Sequence, residues 1–341
     1  MKYKLSQVII SITNLCNLQC LHCYNGENQN KHTMQIADFK HVLKNIQWVE
    51  TLVLSGGEPL ILGEKITNYI IIARNYCNKL ILTTNGTLLD DELIEILKKY
   101  KVDILQISID GLLKNHEIIR GKKSFEKTIL SISKGLKKGL NITIMMVANA
   151  SNYIEILDVY NMLKKLGIQS FSIDRFLPAG RAKQNNWLQL DSQMLKKIHD
   201  QLLVIESEGE MLIHTNDPIY LVRKMEENKI PKEIIEQVGK LKHVGCSAGR
   251  SVLLIDSFCN VYPCSGIDMP IINALEKPFS EFWNNDFVIN LQNRYSTGKC
   301  SQCLYKEICG GCRACSEKYF SDDSLCYIFV PAKPFGETNI S

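Results

Sequence analysis

Six short apolar runs recur through the first half of the chain: VIISI (8–12), TLVLS (51–55), KLILTT (79–84), DILQISI (103–109), NITIMMV (141–147) and SFSID (170–174). Helical patterns fill the gaps between them. Runs this rich in Val, Ile and Leu suit strands covered on both faces, the condition of parallel strands flanked by helices. Strand followed by helix, six times over, predicts an α/β architecture, an open partial (β/α)6 barrel of TIM-like plan. In such sheets ligands bind at the C-terminal ends of the strands, so chemistry is expected on the loops that leave those ends.

Local signals mark the element boundaries. Thr33 is expected to cap MQIADFKHVLKNI, and Asn152 with Glu155 to form a capping box for YIEILDVYNMLKKL, which Gly167 ends. Gly139 would end SFEKTILSISKGLKK. Residues 183–245 read as a helical bridge. There Asp191 caps SQMLKKIHDQLLVIESE, Gly209 follows it, and PIYLVRKMEENKIPKEIIEQVGKLKH is helix broken at Pro231. SVLLID (251–256), a turn at SFCN and then VYPC predict a β-hairpin ending on Cys264. GETNIS reads as a loose tail.

The chain of 341 residues has 13 cysteines, and they are not spread evenly. Cys16, Cys20 and Cys23 lie on the loop leaving the first strand, and nine more fall between Cys246 and Cys326. Cys77 alone lies between, a small buried residue at the end of YIIIARNYC. MKYKLSQVIISIT lacks the h-region of a signal peptide. No apolar stretch approaches the about 20 residues of a membrane span. A cytoplasmic location is therefore expected, where thiols are metal ligands more often than disulfides. The net charge of +4 is thinly spread, which argues against a nucleic-acid or membrane partner. An apolar fraction of 45% supplies core enough for one large or two moderate domains.

The spacing C-x3-C-x2-C at Cys16, Cys20 and Cys23 suits three irons of a [4Fe–4S] cluster, leaving the fourth open as a catalytic metal must be. Zinc sites more often pair C-x2-C knuckles and use four protein ligands. One βα unit later comes Ser55-Gly56-Gly57-Glu58-Pro59, whose glycines would let backbone approach a ligand. The next strands end in Thr84-Asn85 and in Ser108-Ile109-Asp110. Together these residues resemble the radical SAM superfamily, and the fourth iron would then chelate S-adenosylmethionine (SAM). The resemblance implies that the GGEP backbone holds the methionine amino group. It also implies that Thr84, Asn85, Ser108 and Asp110 stand near the ribose, and that His22 and Tyr24 flank the site. His22 stands where the family usually has a hydrophobic aromatic, and its ring would stack near adenine. Arg120 is a candidate for the SAM carboxylate. DRFLPAGRA resembles the segment that closes the barrel in several members, with Arg175 and Arg181 able to bind SAM or a substrate carboxylate.

The C-terminal third, from GCSAGRS through ICGGCRAC to SLCYI, resembles the SPASM extension of that superfamily, which carries two auxiliary Fe–S clusters, expected by that likeness to be [4Fe–4S] in each case. By this resemblance Cys300, Cys303, Cys309 and Cys326 would hold an outer cluster and Cys246, Cys264 and Cys312 an inner one. Cys259 or Cys315 would complete the inner set, unless its fourth iron is open to substrate. A pair of zinc ribbons is the competing reading. The implied domains are a barrel at 1–182, a bridge at 183–245 and a SPASM-type region at 246–341.

The implied chemistry is reductive cleavage of SAM to a 5′-deoxyadenosyl radical, then removal of a substrate hydrogen atom, with the cofactors supplying the reactivity. Auxiliary clusters would accept the leftover electron, making the net reaction oxidative. The expected substrate is a ribosomally made peptide, cross-linked through a thioether or C–C bond. Because the barrel begins at residue 8, a separate peptide-recognition protein is expected, with flavodoxin or ferredoxin as electron donor. The alternative is a tetrapyrrole decarboxylase or a quinone-cofactor maturase. A tetrapyrrole would call for cleft arginines to meet its propionates, with Arg175, Arg181 and Arg250 as candidates. A non-catalytic Fe–S carrier or zinc protein is the reading from another class.

Overall fold

A computed structural model describes residues 5–25, 31–240 and 244–332. Six parallel strands appear where the apolar runs predict them: β1 (Gln7–Thr13), β2 (Val49–Gly56), β3 (Cys77–Thr84), β4 (Ile104–Ser108), β5 (Ile142–Ala148) and β6 (Ser170–Arg175). They pair in chain order. Helices α1 (Ile36–Ile46), α2 (Ile66–Arg74), α3 (Asp91–Lys99), α4 (Leu113–Arg120), α5 (Ser124–Lys137) and α6 (Ile156–Leu166) fill the crossovers.

Alternate strand residues are fully buried, among them Ile10 and Ile12 on β1, Leu52 and Leu54 on β2, and Leu80 and Leu82 on β3. They join one core with Phe39, Leu43, Ile70 and Leu163 from the helices. Each such aliphatic side chain contributes about 1.5–3 kcal/mol by leaving water, which is what holds the strand ends, and therefore the loops, in place.

The sheet runs further than six strands. The bridge contains α7 (Ser192–Glu208), capped by Asp191 as expected, and then a short strand β7 (Leu212–His214) paired in parallel with β6. Two helices follow, α8 (Pro218–Glu227) and α9 (Lys232–Lys240), separated at Pro231. The expected hairpin forms from β8 (Val252–Ile255) and β9 (Asn260–Tyr262), and β10 (Ile272–Asn273) adds to it. Strand β8 lies parallel to β1 on the edge that β2 leaves free. The order is thus β10-β9-β8-β1-β2-β3-β4-β5-β6-β7, and the cysteine-rich third is hydrogen-bonded onto the barrel's first strand. The tail 336–341 and the end of the predicted second bridge helix at 241–243 lie outside the described residues.

Two predicted caps do not form. Thr33 Oγ1 meets Thr13 Oγ1 at 2.9 Å, and α1 starts after Gln35 without a side-chain cap. Asn152 turns its amide to the carbonyls of Asp110 and Val147, while Glu155 accepts from Leu112 N. Thr33 and Glu155 are claimed by partners distant in sequence, while Asn152 Oδ1 is already taken by Asn149 N at 2.7 Å. Gly167 and Gly209 do end α6 and α7 in the left-handed conformation.

Candidate active site

The loop after β1 is held from three sides. Gly57 N donates to Thr13 O and Glu58 N to Leu15 O, each at 2.7 Å. A Cβ on Gly57 would stand 2.2 Å from Leu15 O, so only glycine permits this contact. The N–H groups of Gly57 and Glu58 are thus spent on the cysteine loop rather than offered to a ligand, and Gly56 O accepts from Asn25 at 2.7 Å. From another side, Arg181 Nη1 donates to Cys20 O, Asn185 to Leu21 O and Ala182 N to Cys23 O. The third hold is Leu21 N on Ile119 O at the end of α4.

Glu58 is fully buried and accepts three hydrogen bonds: Leu60 N at 3.0 Å, Thr84 Oγ1 at 2.7 Å and Asn85 N at 2.7 Å. Burial raises its pKa against these donors. Asn85 passes the connection on, donating to Asn17 Oδ1 at 2.9 Å. Glu58, Thr84 and Asn85 therefore brace the cysteine loop from β2 and β3. Pro59 opens the short 3-10 turn Pro59–Lys65 behind Glu58.

A second buried knot lies beyond Cys20. Asp110, at 0% exposure, receives Arg120 Nε at 2.5 Å, His22 Nε2 at 3.1 Å and Val147 N at 2.8 Å. Burial alone would raise its pKa, but the charges of Arg120 and His22 hold it well below the usual carboxylate range. Arg120 Nη1 also reaches Cys20 Sγ at 3.9 Å. These contacts join Asp110 and Arg120, the residues expected near the ribose and the SAM carboxylate, to each other and to Cys20 and His22. Sequence reasoning named His22, Asp110 and Arg120 separately and missed that they form one unit; their positions at the ends of the cysteine loop, β4 and α4 were the available signal. Tyr24 turns its phenol toward Ser55 and Ser11. Ser108 sits half-buried at the end of β4, with no side-chain hydrogen bond among the described residues.

The three thiols lie near one another: burial raises the pKa of Cys16 and pushes Cys20 up to about 12, with the Cys23 thiol adding to both. Leu18 N donates to Cys16 Sγ at 3.4 Å. Among the described residues no three His, Cys, Asp or Glu side chains converge tightly enough for a single metal ion. Facing thiols with backbone N–H donors and the Arg120 cation beside them fit an anionic multi-iron cluster.

The C-terminal cysteines form two sets. Cys300, Cys303, Cys309 and Cys326 line one pocket, and Gly311 N donates to Cys309 Sγ at 3.3 Å. Cys246, Cys264 and Cys312 lie together in a second set. Burial, then Cys246 and Cys312, push Cys264 up to about 12. Backbone N–H groups of Ala248 and Arg313 face Cys246, and those of Gly266 and Ile267 face Cys264. Cys315 hydrogen-bonds Cys312. Cys259, 1% exposed, packs in the core, and the charged neighbours that act on it are Asp38 and Asp256 with no other cysteine among them.

Arg175 is taken by acids. Its Nε meets Asp217 Oδ2 at 2.9 Å, and Nη1 and Nη2 meet Asp323 at 3.2 and 3.0 Å, all buried. Arg250 donates to the carbonyls of Val244 and Cys246. Asp217 and Asp323 gave no sequence signal beyond being acids in loops.

A parallel partial barrel with a thiol loop locked by glycines at its C-terminal mouth defines the radical SAM class of enzyme. Residues 10–172 match the Radical SAM superfamily, so the chain carries that domain, followed by a cysteine-rich C-terminal region of the SPASM type. A [4Fe–4S] cluster and SAM are the cofactors that this domain implies. The chain is 27% identical to the AdoMet-dependent heme synthase of Methanosarcina barkeri, over 93% of this chain and 95% of that one. It is 26% identical to the antilisterial bacteriocin subtilosin biosynthesis protein AlbA of Bacillus subtilis, over 88% of this chain and 65% of AlbA. Its fold is similar to that of Streptococcus suis SuiB bound to precursor peptide SuiA, with TM-score 0.75 and 21% identity, covering 96% of this chain and 76% of SuiB. No helix among the described residues is long and apolar enough to cross a membrane.

Proposed function

We propose that this radical SAM enzyme oxidatively modifies a ribosomally made peptide, forming a cross-link such as a thioether or C–C bond. The observation that carries the substrate class is the engagement of the arginines. A tetrapyrrole needs cations for its propionates, yet Arg175 is paired with Asp217 and Asp323, and Arg250 is buried against two backbone carbonyls, which leaves Arg181 as the one partly exposed guanidinium of the three. A peptide makes no such demand, and relatives include a bacteriocin biosynthesis protein.

Cys16, Cys20 and Cys23 would hold the catalytic cluster. When bound, that group supplies the electron that splits SAM into methionine and a 5′-deoxyadenosyl radical. The chain's own residues then have distinct tasks. Gly57 and Glu58 fix the loop, Arg120 offsets negative charge at Cys20, and Ser108 offers the unengaged hydroxyl for the ribose. Cys300, Cys303, Cys309 and Cys326 would hold an outer auxiliary cluster, and Cys246, Cys264 and Cys312 an inner one, with Cys315 rather than Cys259 at hand to complete it. A separate peptide-recognition protein and a flavodoxin or ferredoxin would serve the reaction in the cytoplasm, where free thiols persist.

Tetrapyrrole side-chain oxidation is the second reading, favoured by the 27% identity to a heme synthase across nearly all of both chains. The test is anaerobic reconstitution with iron and sulfide, then dithionite and SAM, with 5′-deoxyadenosine and iron counted together. About twelve irons per chain are expected for three four-iron clusters. Candidate short peptides and porphyrins are then added in parallel. Deoxyadenosine stimulated by a peptide that loses hydrogen supports the proposal, and stimulation by a porphyrin alone transfers it to the second reading.

A further inference from the structure

Arg313 lies inside the ICGGCRAC segment, on the 3-10 turn that separates Cys312 from Cys315. It is 4% exposed. Its Nη1 donates to Ser321 O at 3.1 Å, while Nε and Nη2 are buried with no hydrogen-bond partner among the described residues. No acid pairs with it among those residues. Burying a guanidinium with two unmet N–H groups is strongly unfavourable unless a negative charge faces it. Thiols of both sets lie near it, with the Asp323 side chain, already paired with Arg175, close by. The guanidinium stands beside Cys300 of the outer set and its charge also acts on Cys246 of the inner set, at which the backbone N–H of the same residue points.

The space for this side chain is made by the backbone. Gly311 takes φ +62°, and a Cβ there would stand 2.2 Å from Arg313 Nη2. Glycine at 311 is therefore what admits the guanidinium to the gap between the sets. As neutral thiols, Cys300 and Cys246 would leave the cation uncompensated. As ligands of anionic clusters, they supply the acceptors that Nε and Nη2 lack.

We propose that Arg313 is a positioning residue shared by the two auxiliary clusters, its guanidinium hydrogen-bonding sulfur of the outer cluster and its main-chain N–H that of the inner. This rests on the reading above that both cysteine sets hold Fe–S clusters. Net charge and hydrogen bonds to sulfur set a cluster's reduction potential. A fixed cation favours the reduced, more negative form, and the Arg313 guanidinium hydrogen-bonds toward Cys300 while reaching Cys246 by its charge alone, so Arg313 raises the outer cluster's potential more than the inner one's.

The test uses the full chain carrying Cys16→Ala, Cys20→Ala and Cys23→Ala, so that only the auxiliary sets load. Iron is counted, and each cluster's midpoint potential is read by EPR-monitored titration, with Arg313→Gln and Arg313→Lys compared. About eight irons are expected in all three proteins. The expected result is a more negative outer potential in the Gln variant, a smaller displacement at the inner cluster, and recovery toward the parent in the Lys variant. Eight irons with unmoved potentials overturn the role of Arg313 and leave the cluster reading intact. Zinc in place of iron in the parent overturns both. Loss of the outer irons from both variants overturns the tuning role in favour of a purely structural one.

Discussion

Arg175 at the end of β6 and Asp323, 148 positions along the chain, meet through two hydrogen bonds of 3.2 and 3.0 Å in a buried pair. Asp323 Oδ2 also accepts Cys312 N at 2.8 Å. One carboxylate thereby joins the last long barrel strand to the inner cysteine set. Asp217, which caps α8, closes the pair from the other side of Arg175.

Replacing Arg175 with Gln strands two buried carboxylates. Removing one partner of a buried pair costs about 3–5 kcal/mol. Urea unfolding of R175Q should show a loss of that size, and a loss under about 1 kcal/mol would mean that the pair carries little of the interface.

The same network makes stability pH-dependent. Burial would raise Asp217, but Arg175 and His199 bring it down to about 2, against about 3.9 for a free Asp. Between those values the unfolded chain binds the extra proton, so the stabilisation is complete above about pH 4 and is lost as pH falls toward about 2. In D217N the cap can persist while this contribution vanishes. Urea midpoints measured from neutral to acid pH should fall less steeply in D217N than in the parent, and parallel curves would exclude Asp217 as the source.

At Gly57 the expected effect is on chemistry. A methyl group there displaces Leu15 and with it the cysteine loop. G57A should keep the far-UV spectrum of the parent yet form 5′-deoxyadenosine at least about tenfold more slowly, since a misplacement of about 1 Å at a reacting centre costs more than that. Unchanged deoxyadenosine formation would show that the loop tolerates the shift.

The cysteines separate by iron count. C264A should lower the holoprotein by about four irons, whereas C259A, in the barrel core, should leave the count at the parent value. Equal losses from both would place Cys259 in the inner site.

Much of the barrel was legible because strand runs and helix ends are local. Val8 to Ile12, the Asp191 cap and the Gly167 stop each depend on neighbours a few residues away. β7 was not legible: three residues with Leu212 67% exposed carry no apolar pattern, and only pairing with β6 makes them a strand. The site divides in the same way. Cys16, Cys20, Cys23 and Glu58 stand out by spacing. The partners of Arg120, Arg175 and Asp110 do not, since a charged side chain in a sequence gives no sign of which distant opposite charge will claim it.

Strand β1 is complete at residue 13, but the strand that covers its second edge, β8, starts at residue 252. A chain emerging from the ribosome therefore carries an open sheet edge next to three bare thiols until most of its length has been made. Access for an iron donor and exposure to wrong strand partners share one interval, and the same late strand ends both.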